Sequence, residues 1–236
     1  MGYSQSNVDL KDVAQSANLE TFHIGIYGAS SAGRLEEGVA TRVALSYART
    51  SVETERDIAF GTIQRTATSS YTAESYGVAL ETRYNSAIAT PYGQAVVSPF
   101  ADLQFARSGV GSFHEAGPGA VNLSGAVVGN DFASLTLGVS TAADITLGSG
   151  QIISSNASIG YERILGDVTG AADISLTGSP NSFTVLTPNT SRNRLHLSLD
   201  VSCQVDTVTD LTLSAEAMFS EGRSVGMIVA GLDFQF

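Results

Sequence analysis

His196, Asp200 and Ser202 are the residue types of a nucleophilic triad, in which a carboxylate orients an imidazole and the imidazole takes a proton from a hydroxyl. They stand in Arg194-Leu-His-Leu-Ser-Leu-Asp-Val-Ser-Cys-Gln204, where polar and apolar residues alternate without a break. In a strand of that pattern, side chains on one face point in parallel, so the three do not converge on one reacting atom. They read as the polar lining of a face. Metal chemistry has no better footing, because His23, His114 and His196 fall on separate segments and none has a helix-spaced partner. Gly109 and Gly111 do not complete a dinucleotide fingerprint, and no helix follows them. Cys203, the single cysteine, rules out an internal disulfide framework and a cysteine-built zinc site. On an apolar face its thiolate is disfavoured. These patterns imply no catalytic residue, no metal ligand, no cofactor and no enzyme.

The element that carries these residues is a strand of period two, and it recurs along the chain. Leu195, Leu197, Leu199, Val201, Cys203 and Val205 oppose Arg194, His196, Ser198, Asp200, Ser202 and Gln204. Val39, Thr41, Val43, Leu45 and Tyr47 oppose Gly38, Ala40, Arg42, Ala44 and Ser46; Tyr76, Val78, Leu80, Thr82 and Tyr84 oppose Ser75, Gly77, Ala79, Glu81 and Arg83. Similar segments centre near Ile24, Leu103, Leu135, Ile159 and Leu213, with a partial one around Tyr3. The last places Ile228, Ala230, Leu232, Phe234 and Phe236 opposite Gly231, Asp233 and Gln235. Helical periodicity is faint and confined to Asp9 to Leu19. The chain reads as all-β.

Composition narrows the class. The 236 residues are 43% hydrophobic, and no run of 18 apolar residues occurs, so any membrane span is built of strands rather than helices. The mean hydropathy of +0.11 fits strands that are polar on every second residue. A net charge of −11, from 12 basic and 23 acidic residues, argues against nucleic acid as a partner. No signal peptide opens the sequence, so a secreted or outer-membrane chain of this kind is expected to be a C-terminal piece.

The polar faces decide between barrel and sandwich. They are rich in Gly, Ala and Ser, with sparse charges of both signs at Arg42, Glu81, Arg83, Asp102, Glu162, Arg194, Asp200, Glu216 and Asp233, joined by His196. Such a face suits a wetted lumen, while the opposite face of Leu, Val, Ile, Phe and Tyr suits lipid. Tyr47, Tyr76, Tyr84 and Phe236 read as lipid-facing or interfacial aromatics. Connections alternate in length, with long ones at 54–70, 108–120 and 166–191, and a tight turn from Asp206 to Asp210 on the periplasmic side. About ten strands result, and Ala171 to Leu176 is either an eleventh or part of a loop.

Several ordered pieces resemble the translocator β-domain of bacterial autotransporters: Ile24-Gly-Ile-Tyr-Gly28, Glu55-Arg56-Asp-Ile58, Pro99-Phe-Ala-Asp-Leu-Gln-Phe105, Phe113-His-Glu115 with Leu123, Ser134-Leu-Thr-Leu-Gly138 and Gly231-Leu-Asp-Phe-Gln-Phe236. The resemblance implies an antiparallel transmembrane β-barrel of twelve strands in the outer membrane, with a helix threading its lumen and an N-terminal passenger carried to the cell surface by type V secretion. It implies that the barrel-assembly machinery reads Gly231, Phe234 and Phe236. Outer-membrane lipid, the passenger and the linker helix are the other partners. In the family pattern the acid matching Glu115 is a recurrent structural position, and Arg56 either anchors the lumenal helix or closes a loop through a carboxylate. Some relatives cut the passenger free with acidic lumen residues, for which Glu81, Asp102, Glu162, Asp200 and Glu216 are candidates.

Measured against that family, residues 1–236 are expected to form one barrel domain truncated at its N-terminus, without the linker helix and roughly two strands. An open ten-stranded sheet leaves two unpaired edges, which hydrocarbon does not tolerate. Alone, the chain is expected to fail to insert or to close as a smaller, strained barrel. Two alternatives stand beside the translocator: an outer-membrane barrel of porin or adhesin type whose long loops bind ligands, and a soluble β-sandwich binding module.

Overall fold

The computed structural model describes every residue except 11–14, 35–36, 92, 128, 149, 167, 187–189, 206–208 and 235–236. Ten strands form one antiparallel sheet: Gly2–Leu10 (β1), Gln15–Arg34 (β2), Glu37–Phe60 (β3), Ile63–Thr90 (β4), Gly93–Val110 (β5), Asn130–Thr146 (β8), Ile152–Ile164 (β9), Asn193–Gln204 (β12), Thr209–Ser220 (β13) and Arg223–Phe234 (β14). Each pairs with its sequence neighbour in the sheet, so the topology is a meander. Four short strands, Ser112–His114 (β6), Leu123–Val127 (β7), Ala171–Leu176 (β10) and Ser182–Leu186 (β11), form a second sheet in the order β11-β10-β7-β6. Among the described residues β1 and β14 have no pairing with each other, so the large sheet has two edges.

Period-two alternation puts most oily residues of the eight inner strands on one face, and the register aligns those faces; the edge strands β1, with Val8 and Leu10, and β14, with Val225, Met227 and Val229, carry apolar residues on the polar side as well. Among the described residues no second sheet covers the apolar side. Leu199, Leu213, Leu137 and Phe105 are each about half exposed, and among the described residues of the large sheet the buried hydrophobic side chains are Val52, Ala67 and Ile164. The accessible surface is 15379 Å², whereas a folded soluble chain of this mass exposes about 10,000 Å². The β-sandwich reading is therefore overturned: the elements in contact with the large sheet beyond its own neighbours are β6 and β7, at β4 and β5.

Both connections that carry additional strands, 111–129 and 165–192, leave the same end of the large sheet, here termed the loop end. The connections from β4 to β5, from β8 to β9 and from β12 to β13 lie at the other, the turn end. Of the turn expected from Asp206 to Asp210, residues 206–208 lie outside the described residues. Three expectations need correction. The long loop at 54–70 is a continuous hairpin, because β3 and β4 remain paired from Thr54↔Ser69 to Phe60↔Ile63 and reverse at Gly61, whose φ of +58 suits glycine. Residues 63–72 of β4 pair with β3 and not with β5, and project roughly 30 Å beyond β5 at about 3.3 Å per residue. Asp9 to Leu19 shows no helix in its described part; β1 and β2 pair there up to Leu10↔Gln15. Ala171–Leu176 is a strand, but of the small sheet.

Candidate functional site

The ten charged or imidazole side chains singled out from the sequence all share the polar face of the large sheet. Cross-strand register lines up Arg42, Glu81, Asp102, Thr136, Glu162 and Arg194 as one lateral row over six strands. Within and beside it, Glu81 holds Arg83 at 2.6 Å and Arg42 at 3.9 Å. Glu162, buried beneath its neighbours, takes His196 at 3.0 Å and Arg194 at 3.5 Å. Thus His196 engages Glu162 on the adjacent strand rather than Asp200 on its own. The triad geometry is absent, and no group of three metal-binding side chains occurs among the described residues.

Towards the turn end follows a row of hydroxyls. Glu216, Ser198, Ser158, Ser140 and Ser98 are successive cross-strand partners, with Ser158 and Ser198 Oγ atoms 2.7 Å apart and Ser98 donating to Asn85 Oδ1 at 2.8 Å. The β4–β5 ladder skips Tyr84 and Asn85, opposite Ser98 and Pro99, where proline has no N–H to give. Beyond the hydroxyls, Gln94, Asp144, Ser154, Asn156, Asp200 and Ser214 edge a hollow of about 640 Å³. Asp233 faces Asp210 still closer to that end. The polar groups of this face offer weak, exchangeable contacts.

One feature of this wall escaped sequence reading. Phe100 shares the polar face with Asp102, and its ring lies over Gly138 and, at 3.4 Å from the position a Cβ would take, Gly160. Those glycines form the next two positions of the same lateral row, so the ring rests on backbone across two strands. The signal was present in the sequence, since Phe100 has the parity of Asp102 and Gln104.

At the loop end the β3–β4 hairpin turns its polar face towards 111–129. Arg56 grips Glu115 with two bonds, Nε to Oε1 at 2.9 Å and Nη2 to Oε2 at 2.5 Å, and Glu115 also accepts from the Leu123 N–H at 2.7 Å. Arg65 donates to the Pro118 carbonyl at 2.7 Å, Thr68 and Ala116 form a backbone bridge, and the Tyr71 and Phe113 rings stand 6.1 Å apart. Burial by itself pushes the Glu115 carboxyl up, but the bonds from Arg56 and Leu123 outweigh it and hold the group below the ordinary carboxylate value. Of the two roles open to Arg56, the structure shows the loop clamp.

The apolar face has a border of its own. Tyr47 and Tyr76 are cross-strand partners with rings 5.1 Å apart, and both hydroxyls donate to Glu74, at 3.1 and 3.4 Å. From Tyr76 to Tyr84 the outward belt of β4 measures roughly 26 Å along the strand, close to the apolar band of an outer-membrane wall. Cys203 lies half-buried on this face with a free thiol. Gly231 packs against Thr212 on the polar side, the backbone of Phe234 ends β14 opposite Thr209, and Phe236 lies outside the described residues.

Comparison with known proteins agrees with this architecture. The family described as the autotransporter beta-domain matches residues 1–216. Among solved structures, the β-domain of the Bordetella autotransporter BrkA is similar over 99% of this chain and 96% of that one, at 13% identity and a TM-score of 0.41. No curated protein matches. With the family match extending over most of its length, the chain belongs to the autotransporter β-domains, the outer-membrane translocators of type V secretion.

Proposed function

We propose that the chain is the wall of a translocator that carries an N-terminal passenger to the cell surface. The observation that supports this most directly is the segregation of the large sheet: a broad apolar face on which no described element packs, backed by a connected polar face. Lipid satisfies the first and a hydrated conduit the second. Closure of the sheet brings the β1 and β14 edges together into a barrel wall, with the loop end outside the cell. Arg42, Glu81, Arg83, Asp102, Glu162, Arg194, His196, Asp200, Glu216 and Asp233 then line the lumen. The passenger slides past them, and a linker helix afterwards occupies the space. The barrel-assembly machinery reads Gly231, Phe234 and Phe236 at the closing strand.

The test is surface display. The chain, behind a signal peptide and a short epitope-bearing segment, is produced in a Gram-negative host, and intact cells are treated with protease. Removal of the epitope from outside, with the barrel in the outer-membrane fraction, is the expected result. An epitope kept in the periplasm by a correctly inserted barrel would sink the passenger role and favour a ligand-binding barrel.

A further inference from the structure

The arginines of the apolar face are placed unevenly. On β3 the outward residues run Val39, Thr41, Val43, Leu45 and Tyr47, and the next outward residue is Arg49; on β5 the run ends at Phe105 and Arg107 follows; on β9 it ends at Tyr161 and Arg163 follows. Three strands thus carry an exposed arginine one outward step past the apolar belt, always at the loop end. At the turn end the outward positions of the same strands are Glu37, Gly93 and Ala95, and Ile153, with no cation. The outward acids of the projecting hairpin, Glu53, Glu55 and Asp57, stand further from the belt than Arg49 does.

The surroundings of the arginines match a lipid headgroup. Arg49 pairs in register with Glu74, whose oxygens are already occupied by the Tyr47 and Tyr76 hydroxyls, and Arg107 is the cross-strand partner of Tyr76. Strand spacing sets β3 and β5 about 10 Å apart, so Arg49 and Arg107 flank the tyrosine pair. Arg163 and the Tyr161 hydroxyl both donate to Asn193 Oδ1, at 3.0 and 2.8 Å, which keeps that arginine at the border. Arg107 meets Asp131 at 3.5 Å with both side chains more than half exposed. A pair so exposed is weak and yields to a stronger anion. The guanidinium fork fits phosphate oxygens two at a time, and tyrosine sits by preference at headgroup depth.

We propose that Arg49, Arg107 and Arg163 form a docking rim for the phosphorylated headgroup of an anionic glycolipid in the outer leaflet. The proposal rests on the outer-membrane reading, and it gives that reading a leaflet asymmetry: three of the four outward strand positions that carry arginine lie at the loop end, and the fourth, Arg34 at the turn end, is in register with Glu37. The rim fixes the depth and tilt of the wall by charge as well as by oil.

The experiment folds the chain into phosphatidylcholine vesicles with and without lipid A. Insertion is followed by heat-modifiable gel migration, and lipid retained after detergent extraction by native mass spectrometry. The chain is expected to close as the smaller barrel, to insert into both and to retain lipid A. R49Q, R107Q and R163Q together should insert as well but hold lipid A on the order of a hundredfold more weakly, about fivefold per arginine. Lysine at the three positions should restore most of the retention. Equal retention by the glutamine and arginine forms would overturn the rim while leaving the barrel intact. Failure of the unaltered chain to insert into either vesicle would overturn the closed ten-stranded barrel and the rim with it. If the triple variant does not fold, the three single variants decide, read in the same way.

Discussion

On β12, Leu195, Leu197, Leu199 and Val201 face away from every element except the two sheet neighbours, whereas Arg194, His196 and Ser198, one residue out of phase, each bond to a side chain on β9. The two faces of one strand are therefore held by different means. The polar face is specified by partners at fixed distances, so changes there act locally. The apolar face is specified by its solvent, so a change there acts through the free energy of meeting hydrocarbon. A third situation holds at the loop end, where Arg56 and Glu115 secure a segment that neither face supports.

That contrast can be tested most severely at mid-belt. Leu199→Arg should destabilise the lipid-inserted state by about 3 kcal/mol, while Ser198→Arg, its polar-face neighbour, should cost less than about 1 kcal/mol. Denaturant titration of both variants in lipid vesicles checks the difference, and equal costs would mean that the faces see the same medium. Next in size, Glu115→Gln should cost about 2 kcal/mol locally by leaving Arg56 without its anion. It is read as faster proteolysis within 111–129 with the large sheet unchanged. Because the folded Glu115 carboxyl titrates below its unfolded value, this contribution is present above the usual carboxylate range of about 4 and is lost as pH falls through the lower, folded value. The same protease assay, run down in pH, should reproduce the variant's behaviour in the unaltered chain.

A smaller effect is expected beneath Phe100. A Cβ at Gly138 would collide with the ring and with the Ile159 carbonyl, so Gly138→Ala should cost about 1.5 kcal/mol through displacement of the ring. Phe100→Leu combined with Gly138→Ala should recover part of it, as a double-mutant cycle would register. Smallest is Ser158→Ala, which removes the 2.7 Å contact to Ser198 from a wetted face and should cost less than about 1 kcal/mol. A loss of several kcal/mol there would show the hydroxyl row to be a sealed network instead.

Which residues share a face was legible from the sequence. Alternation is a local property: a strand's side chains point to opposite sides whatever the strand pairs with. This is why Arg42, Glu81, Asp102, Glu162, Asp200 and Glu216 could be set together on one side, and why ten strands of the main sheet could be counted. Outside the belt that signal fades. Between Ser51 and Thr72 both faces carry polar residues, so the projecting hairpin looked like a loop, and β10 and β11 lacked a partner that sequence could supply.

Register and meeting across strands were decided by tertiary structure alone. That Glu162 takes His196, that Arg56 closes on Glu115 fifty-nine residues away, and that Phe100 lies across Gly138 and Gly160 all depend on how far one strand slides along the next. Alternation fixes only whether that slide is odd or even. Turns, glycine contacts and paired charges, acting between residues distant in the chain, select its value.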